Sequence, residues 1–311
     1  MQLAAHKEPS ISAVSVSALL IGRDCALDAF ATRRGDLSAL DILIVATVVQ
    51  ANLAAIATPD AQLEYATLDG VAPETLRRPV SISRLAQSLD MPFETIRRHL
   101  RRLEAAGVLN ITPQGVMAPE RRFDSPEGRA AAIAIDALCR RTFERLQAVG
   151  FFASRPLPAA SHHPAAPPIR LVTRLMADYV LRFAQDTRAV AGGHMDALLL
   201  LEISRRNVRD LGDDRSWAEP TLPFVPDDEK RPASVSELAQ GLGLSFETAR
   251  RHLVHLAEAD ICQRVDGGYI ITAERLAALC ASLVASNDTN LWRLYRGCAQ
   301  LGVIEAWARE G

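Results

Sequence analysis

Two stretches of the chain carry the same arginine, threonine and glutamate side chains, which are hydrogen-bonding groups suited to nucleic acid. Residues 93–100 read FETIRRHL and residues 246–253 read FETARRHL. Arginine can pair bidentately with guanine, threonine can contact a thymine methyl or a phosphate, and glutamate can accept a hydrogen bond from cytosine. Packing alone would preserve the leucines, so the shared polar residues favour nucleic-acid binding over a merely solvated helix face.

Helical periodicity separates the inward residues of these stretches from the candidate contacts. Ile96, Leu100 and Leu103 share one face at 3.6 residues per turn, so they are expected to pack inward. His99 and His252 lie beside that face and are interpreted as packed, hydrogen-bonded histidines. Residues near the helix start are expected to reach bases, and later arginines to meet phosphates. The candidate DNA contacts are Glu94, Thr95, Arg97, Arg98, Arg101 and Arg102 in the first copy, and Glu247, Thr248, Arg250, Arg251 and His255 in the second.

A shorter helix and a tight turn are predicted before each stretch. Ser81 and Ser234 are suitable N-caps, and Glu237 completes a capping box in the second copy. The turns fall at 90–92 and 243–245, where Pro92 suits the first turn of the next helix. The resulting helix-turn-helix motifs span 81–106 and 234–259.

A β-hairpin is predicted after each helix-turn-helix, because β-prone runs flank a glycine-containing turn. The second hairpin, at 261–271, is the clearer of the two, and the first follows Val108. The candidate wing residues are Gln114, Arg264 and Gly267. Helix, turn, helix and hairpin is the winged-helix order.

The two copies belong to a longer internal repeat. Between 78–109 and 231–262, 17 of 32 aligned positions are identical at a constant offset of 153 residues. Apolar flanking helices also align, which predicts two units of about 150 residues rather than two isolated motifs. We therefore expect an N-terminal unit at 1–152, a Pro/Ala-rich linker at 153–168 that forms an extended spacer, and a C-terminal unit at 169–311.

Composition favours a mainly helical protein with unequal copies. Apolar residues make up 49% and aromatic residues only 5% of the 311 residues, and the net charge is −2. Residues 77–122 hold nine arginines against four acidic residues, a net charge of +5, whereas 230–275 hold six basic and six acidic residues. The first copy is therefore expected to supply more of the phosphate affinity.

Other classes of site are not indicated. The five cysteines have no metal-ligand spacing and are expected to be reduced thiols. We expect no metal, no cofactor, no enzymatic activity, no membrane span and a cytoplasmic location. Whether the stretches 54–77 and 209–230 fold over the helical core or form loops is left open by their composition.

The order of elements resembles the MarR-type transcriptional regulators. That resemblance implies a mainly α fold in which two winged helix-turn-helix units share a pseudo-two-fold core of flanking helices, with small β-hairpin wings. It maps the base-reading helices onto 92–102 and 245–255. It also implies that double-stranded DNA is the partner, that one chain acts as an intramolecular dimer, and that a small-molecule effector is possible.

Three functions remain open at this point. The first is a sequence-specific transcriptional regulator that reads an imperfect palindrome, since the copies differ at Arg101/Val254 and Arg102/His255. The second is a replication initiator of the plasmid type, which also joins two winged helices in one chain. The third is a winged-helix adaptor that binds protein and not DNA.

Overall fold

The computed structural model describes residues 12–32, 35–56, 58–209 and 225–310. The helices are α1 (Ala13–Thr32), α2 (Ala39–Asn52), α3 (Pro59–Glu64), α4 (Ile82–Leu89), α5 (Phe93–Ala105), α6 (Arg121–Asp124), α7 (Pro126–Ala148), α8 (Ile169–Ala191), α9 (His194–Asn207), α10 (Val235–Leu242), α11 (Phe246–Glu258), α12 (Ala273–Gln300) and α13 (Val303–Glu310). The strands are β1 (Asn110–Thr112), β2 (Gly115–Met117), β3 (Gln263–Val265) and β4 (Gly268–Ile270). The mainly helical fold with small antiparallel hairpins agrees with the sequence prediction.

Four long helices, α1, α7, α8 and α12, pack on one another to form the centre of the core. Helix α1 is apolar on most sides, as expected for a helix surrounded by others. Tyr179 of α8 and Tyr295 of α12 are among the largest fully buried side chains. Gly22 allows α1 to approach α8 closely, because a Cβ atom there would collide with the Tyr179 hydroxyl.

The two halves of the chain also contact each other through α2 and α9, which lie outside the four central helices. Arg23 of α1 donates to the Ser204 hydroxyl of α9 at 2.8 Å. Likewise, Gln50 of α2 donates to the Arg174 carbonyl of α8 at 3.1 Å. One continuous apolar cluster includes buried residues from both halves.

A winged helix is attached to each side of this core. We call α4, α5, β1 and β2 the first head, and α10, α11, β3 and β4 the second head. The first head packs against α2 and the second against α9. Each hairpin is a two-stranded antiparallel sheet, with Ile111 opposite Val116 and Arg264 opposite Tyr269. Both predicted wings are thus present.

The described parts of the two stretches without clear sequence signals contain short helical elements. The stretch 54–77 contains α3 and a 3-10 turn at Glu74–Leu76. Of the stretch 209–230, residues 210–224 lie outside the described residues, and a 3-10 turn follows at Asp227–Glu229.

The Pro/Ala-rich segment 153–168 contains neither helix nor strand, yet it does not stand apart from the core. The Ser161 amide and hydroxyl both donate to the Gln300 carbonyl at 3.0 Å. The Arg155 guanidinium lies 3.5 Å from the Trp292 ring centre, and the Arg309 guanidinium donates to the Pro164 carbonyl at 3.2 Å. The segment therefore packs along α12 and α13. The sequence predicts an extended spacer between the two units.

Among the described residues, no helix combines the length and the apolar character needed to cross a membrane. The five cysteines are all buried and free of disulfide bonds. Burial raises the pKa of Cys262 and of Cys280 to about 12, so both stay as thiols at neutral pH.

Candidate nucleic-acid interface

The predicted caps set the start of each short helix. The Ser81 hydroxyl accepts from the Arg84 amide, and Ser234 forms a complete capping box with Glu237. The following turns begin with a left-handed residue, Asp90 at φ 47° and Gly243 at φ 65°. Such a residue ends one helix within a single position and allows the next helix to begin at once.

In the first head, the recognition helix begins one residue later than predicted. Pro92 occupies the N-cap position, outside the first turn, and α5 begins at Phe93. Pro92 has no side-chain hydrogen bond to offer as a cap, whereas the Ser245 hydroxyl accepts from the Thr248 amide in the second head.

The inward face of each of these helices is completely buried. Ile96, Leu100 and Leu103 of α5 have no exposed surface, as the helical spacing predicted. The outer faces of α5 and α11 carry mostly polar residues, as expected of a helix that inserts into a DNA groove, together with exposed Phe93, Phe246 and Val254.

The candidate DNA contacts on these outer faces fall into three groups, and Arg102 stands apart from all of them. Glu94 pairs with Arg97 at 2.9 Å, and Glu247 pairs with Arg250 at 2.7 Å, so the first turn of each helix carries an internal ion pair. Thr95 and Thr248 are half-buried next to these pairs. The other members have exposed side chains that make no hydrogen bond or close ion pair with any described residue: Arg98, Arg101, Arg251 and His255.

Arg102 differs from the other candidates because it reaches back to the helical core. Its guanidinium pairs with Asp41 of α2, although 60% of its side chain stays exposed. His99 also binds Asp41, with Nδ1 2.8 Å from the carboxylate. Burial would raise the pKa of Asp41, but hydrogen bonds from His99, Arg102 and Ser38 outweigh it and hold that pKa well below its usual range.

The same histidine contact occurs in the second head. His252 Nδ1 lies 2.7 Å from the Asp196 carboxylate at the start of α9. Both histidines are therefore packed and hydrogen-bonded, which confirms their interpretation from sequence. They fix α5 and α11 to the core and do not face outward.

Two buried asparagines, which sequence reasoning did not single out, join each head to its core helix. Asn52 at the end of α2 donates to the carbonyls of Arg78 and Val116 at 2.9 and 3.1 Å, and accepts from the Ala118 amide at 3.0 Å. A single amide thus satisfies backbone groups both before the helix-turn-helix and in the wing.

Asn207 makes the equivalent set of contacts in the second head. It donates to the carbonyls of Arg231 and Tyr269 at 2.8 and 3.1 Å and accepts from the Ile271 amide at 2.9 Å. The sequence did contain a signal for these two asparagines, because each is a polar residue that ends an apolar helix at the aligned position of its copy.

A buried cation contacts the residue that directly follows the second strand of each wing. Arg77 donates to the Ala118 carbonyl at 3.0 Å, and Lys230 donates to the Ile271 carbonyl at 2.7 Å. Burial lowers the pKa of Arg77, while nearby Glu120 and Glu74 oppose that shift. Both positions lie in stretches that the sequence left unassigned.

The wing turns expose the residues predicted at their tips. Gln114 and Gly267 are exposed, and Arg264 projects from β3. Gly115 has φ 134°, and a Cβ atom there would lie 2.7 Å from the Val80 carbonyl oxygen. Only glycine lets the hairpin pair with the chain that precedes the helix-turn-helix.

A groove of 490 Å³ runs between α11 and the second wing. Phe246, Arg250 and Val254 line it from the helix, and Arg264 lines it from the hairpin. Its walls therefore combine two arginines and Asp266 with several apolar side chains. Among the described residues, no cluster of histidine, cysteine, aspartate and glutamate is arranged to hold a metal ion.

The sequence of the second head is similar to a known helix-turn-helix domain. Residues 228–275 match the DeoR-like helix-turn-helix domain. The match runs from the buried Lys230 region through α10, α11 and the wing to the start of α12. It supports a DNA-binding helix-turn-helix regulator with DNA as its partner. No curated protein and no solved structure matches the chain.

Proposed function

We propose that the protein is a transcriptional regulator that reads an imperfect palindrome with two fused winged-helix heads. The observation that carries this proposal is the matching attachment of both heads. Asn52 and Asn207 hold equivalent backbone groups, and the pairs His99–Asp41 and His252–Asp196 fix both recognition helices to core helices. Matching attachment supports an internal duplication and two heads that serve the same purpose.

Contacts between the halves support a fused dimer over two independent modules. His194, at the start of α9, donates through Nε2 to the Leu89 carbonyl at 2.8 Å, and Arg188 of α8 pairs with Asp90 at 2.7 Å. These residues of the second half thus hold the turn of the first head. Because these contacts anchor the first head to the second half, they restrict the distance between the two recognition helices. A palindrome requires such a defined distance, about one DNA turn.

Differences between the outer faces favour an unequal pair of half-sites. Arg101 of the first head corresponds to Val254 of the second, and Arg102 corresponds to His255. The first head therefore brings more cationic charge to DNA. The interpretation that one chain acts as a monomer in the cytoplasm belongs to the same proposal, and a small-molecule effector is a possible addition to it.

Selection of bound duplexes from a random pool tests the proposal, followed by footprinting of the selected site. The expected result is one site with two related but unequal protected half-sites, bound by a particle of one chain's mass in light scattering. Arg98→Ala should weaken protection of one half-site and Arg251→Ala the other. A single protected half-site that survives Arg251→Ala unchanged would contradict the fused-dimer reading.

The same experiments separate the two other functions. A replication initiator of the plasmid type would select several copies of a directly repeated element. An adaptor protein would show no salt-sensitive affinity for DNA and no selected sequence. The cationic outer face of the first head and the DeoR-like match of the second favour the regulator.

A further inference from the structure

The first residue of each recognition helix is an exposed aromatic side chain. Phe93 is 42% exposed at the start of α5, and Phe246 is 53% exposed at the start of α11. Large apolar side chains at this level of exposure are few in the described part of the chain: the others are Val14, Leu76, Ile133 and Val254. The two phenylalanines occupy equivalent positions, so the exposure is a shared property of the heads.

Packing within the head does not account for these rings. The inward face of α5 is already complete, since Ile96, Leu100 and Leu103 have no exposed surface. The rings lie outside that face, at the helix end expected to approach base edges. An exposed apolar side chain repeated at such a place indicates a contact made with a partner.

The charges around the rings indicate what kind of partner this is. Arg98 follows Phe93 within two turns and Arg264 lines the same groove as Phe246, and neither arginine forms an ion pair with a described residue. The acidic neighbours Glu94 and Glu247 are each paired with an arginine, and Asp266 also lines the groove. Cationic side chains surrounding an apolar one fit a polyanion that presents an apolar group, and not the apolar surface of a protein. DNA meets this description, because its phosphates flank a major groove in which thymine exposes a C5-methyl group.

We propose that Phe93 and Phe246 each contact the C5-methyl group of a thymine, one in each half-site. This inference rests on the proposed function and extends it to specificity. A phenyl ring has no hydrogen-bonding atom, so it reads a base through this apolar group alone. The arginines and threonines beside it contribute the polar part of the readout.

Replacing thymine by deoxyuridine in the selected duplex tests the contact directly. The substitution removes only the methyl group and keeps every hydrogen-bonding atom of the base pair. Each thymine is replaced singly, and affinity is measured by fluorescence anisotropy. One position in each half-site is expected to lose about fourfold in affinity, the factor that corresponds to burying one methyl-sized group.

Substitution of the rings identifies which head reads which methyl. Phe246→Ala should weaken binding to the thymine duplex and abolish the deoxyuridine effect in one half-site, while the effect in the other half-site persists. Phe93→Ala should give the reciprocal pattern. Ile133→Ala is the matched control, since Ile133 is 48% exposed on α7, outside both heads, and should leave every affinity unchanged. Circular dichroism melting curves establish that the variants are folded.

Each outcome decides a separate question. Deoxyuridine losses that persist in both phenylalanine variants would overturn the contact, as would a selected site that is insensitive to deoxyuridine at every thymine. Either result would leave the fused-regulator proposal standing. Failure of the wild-type chain to select any sequence would overturn that proposal and this contact with it.

Discussion

Asp41 at the start of α2 binds His99 of the recognition helix α5, with 2.8 Å between carboxylate and imidazole Nδ1. The same carboxylate caps its own helix by accepting from Ser38, and it also pairs with Arg102. One buried carboxylate thus joins the position of the recognition helix to the first turn of a core helix.

Asp41→Asn is expected to destabilise the fold by about 1.5–3 kcal/mol, the range for hydrogen bonds to a charged group. Asparagine keeps the shape but loses the charge that His99 and Arg102 contact. Urea unfolding at neutral pH measures the effect. Asp69→Asn is the matched control, because Asp69 pairs with Arg129 while 85% exposed, and should change stability by less than about 1 kcal/mol.

The lowered pKa of Asp41 gives this pair a defined pH dependence. A carboxyl whose folded pKa is depressed contributes its stabilisation fully above the unfolded value of about 3.9. The contribution is lost as pH falls from there toward the lower folded pKa. The stability difference between wild type and Asp41→Asn should therefore be constant above about pH 5 and shrink below about pH 4. A difference that grew on acidification would contradict the assignment.

Asn52→Ala should destabilise the first head by about 1–3 kcal/mol, because it leaves the Arg78 carbonyl and the Ala118 amide without their side-chain partner and the Val116 carbonyl with only the Val80 amide. Asn207→Ala should act equally on the second head. Asn290→Ala is the control, since the Asn290 amide donates to the Asp186 carboxylate at 2.8 Å in a part-buried setting and contacts no backbone group of either head. Hydrogen exchange of amides in the two wings would locate each loss; equal effects of all three variants would contradict the special role of Asn52.

Local signals in the sequence predicted the heads well. Ser81 and Ser234 cap the expected helices, Leu100 lies on the buried face, and the glycine turns produce both wings. Each of these features depends on residues only a few positions apart.

Contacts between distant residues could not be read from such signals. His99 and Asp41 are 58 positions apart, and His194 and the Leu89 carbonyl are 105 apart. Their pairing depends on how whole helices pack. Phe93 was visible within the shared motif, but an aromatic residue is expected inside by default, so its exposure needed the structure.

Arg98→Ala should weaken binding to the selected duplex by about 1–3 kcal/mol if its guanidinium pairs with a guanine. The Arg98 side chain is exposed on the outer face of α5 and makes no ion pair with the described residues, so it is available for a base. Specificity at one base pair should relax in the same variant. Arg129→Ala, which removes an arginine of α7 that is already paired with Asp69, is the control. Equal losses on selected and random DNA would make Arg98 a phosphate contact.

At two equivalent positions, one on the recognition helix and one on the first wing strand, the heads carry an arginine and an aliphatic residue in opposite order. In the second head Val254 and Arg264 line the groove between helix and wing. The corresponding residues of the first head are Arg101 and Ile111, so the cation is on the helix in one head and on the wing strand in the other. One phosphate contact per head, made from the helix in the first head and from the wing in the second, would explain why each head keeps one cation of this pair.

Salt dependence of binding tests that exchange. Arg264→Ile should lower the slope of log affinity against log salt by about 1, because one phosphate contact is lost. Adding Val254→Arg should restore the slope, since the second head then has the arrangement of the first. Val254→Arg alone should steepen the slope only if the groove can hold a second phosphate. A double variant whose slope stays as low as that of Arg264→Ile would show that the two walls do not meet the same phosphate.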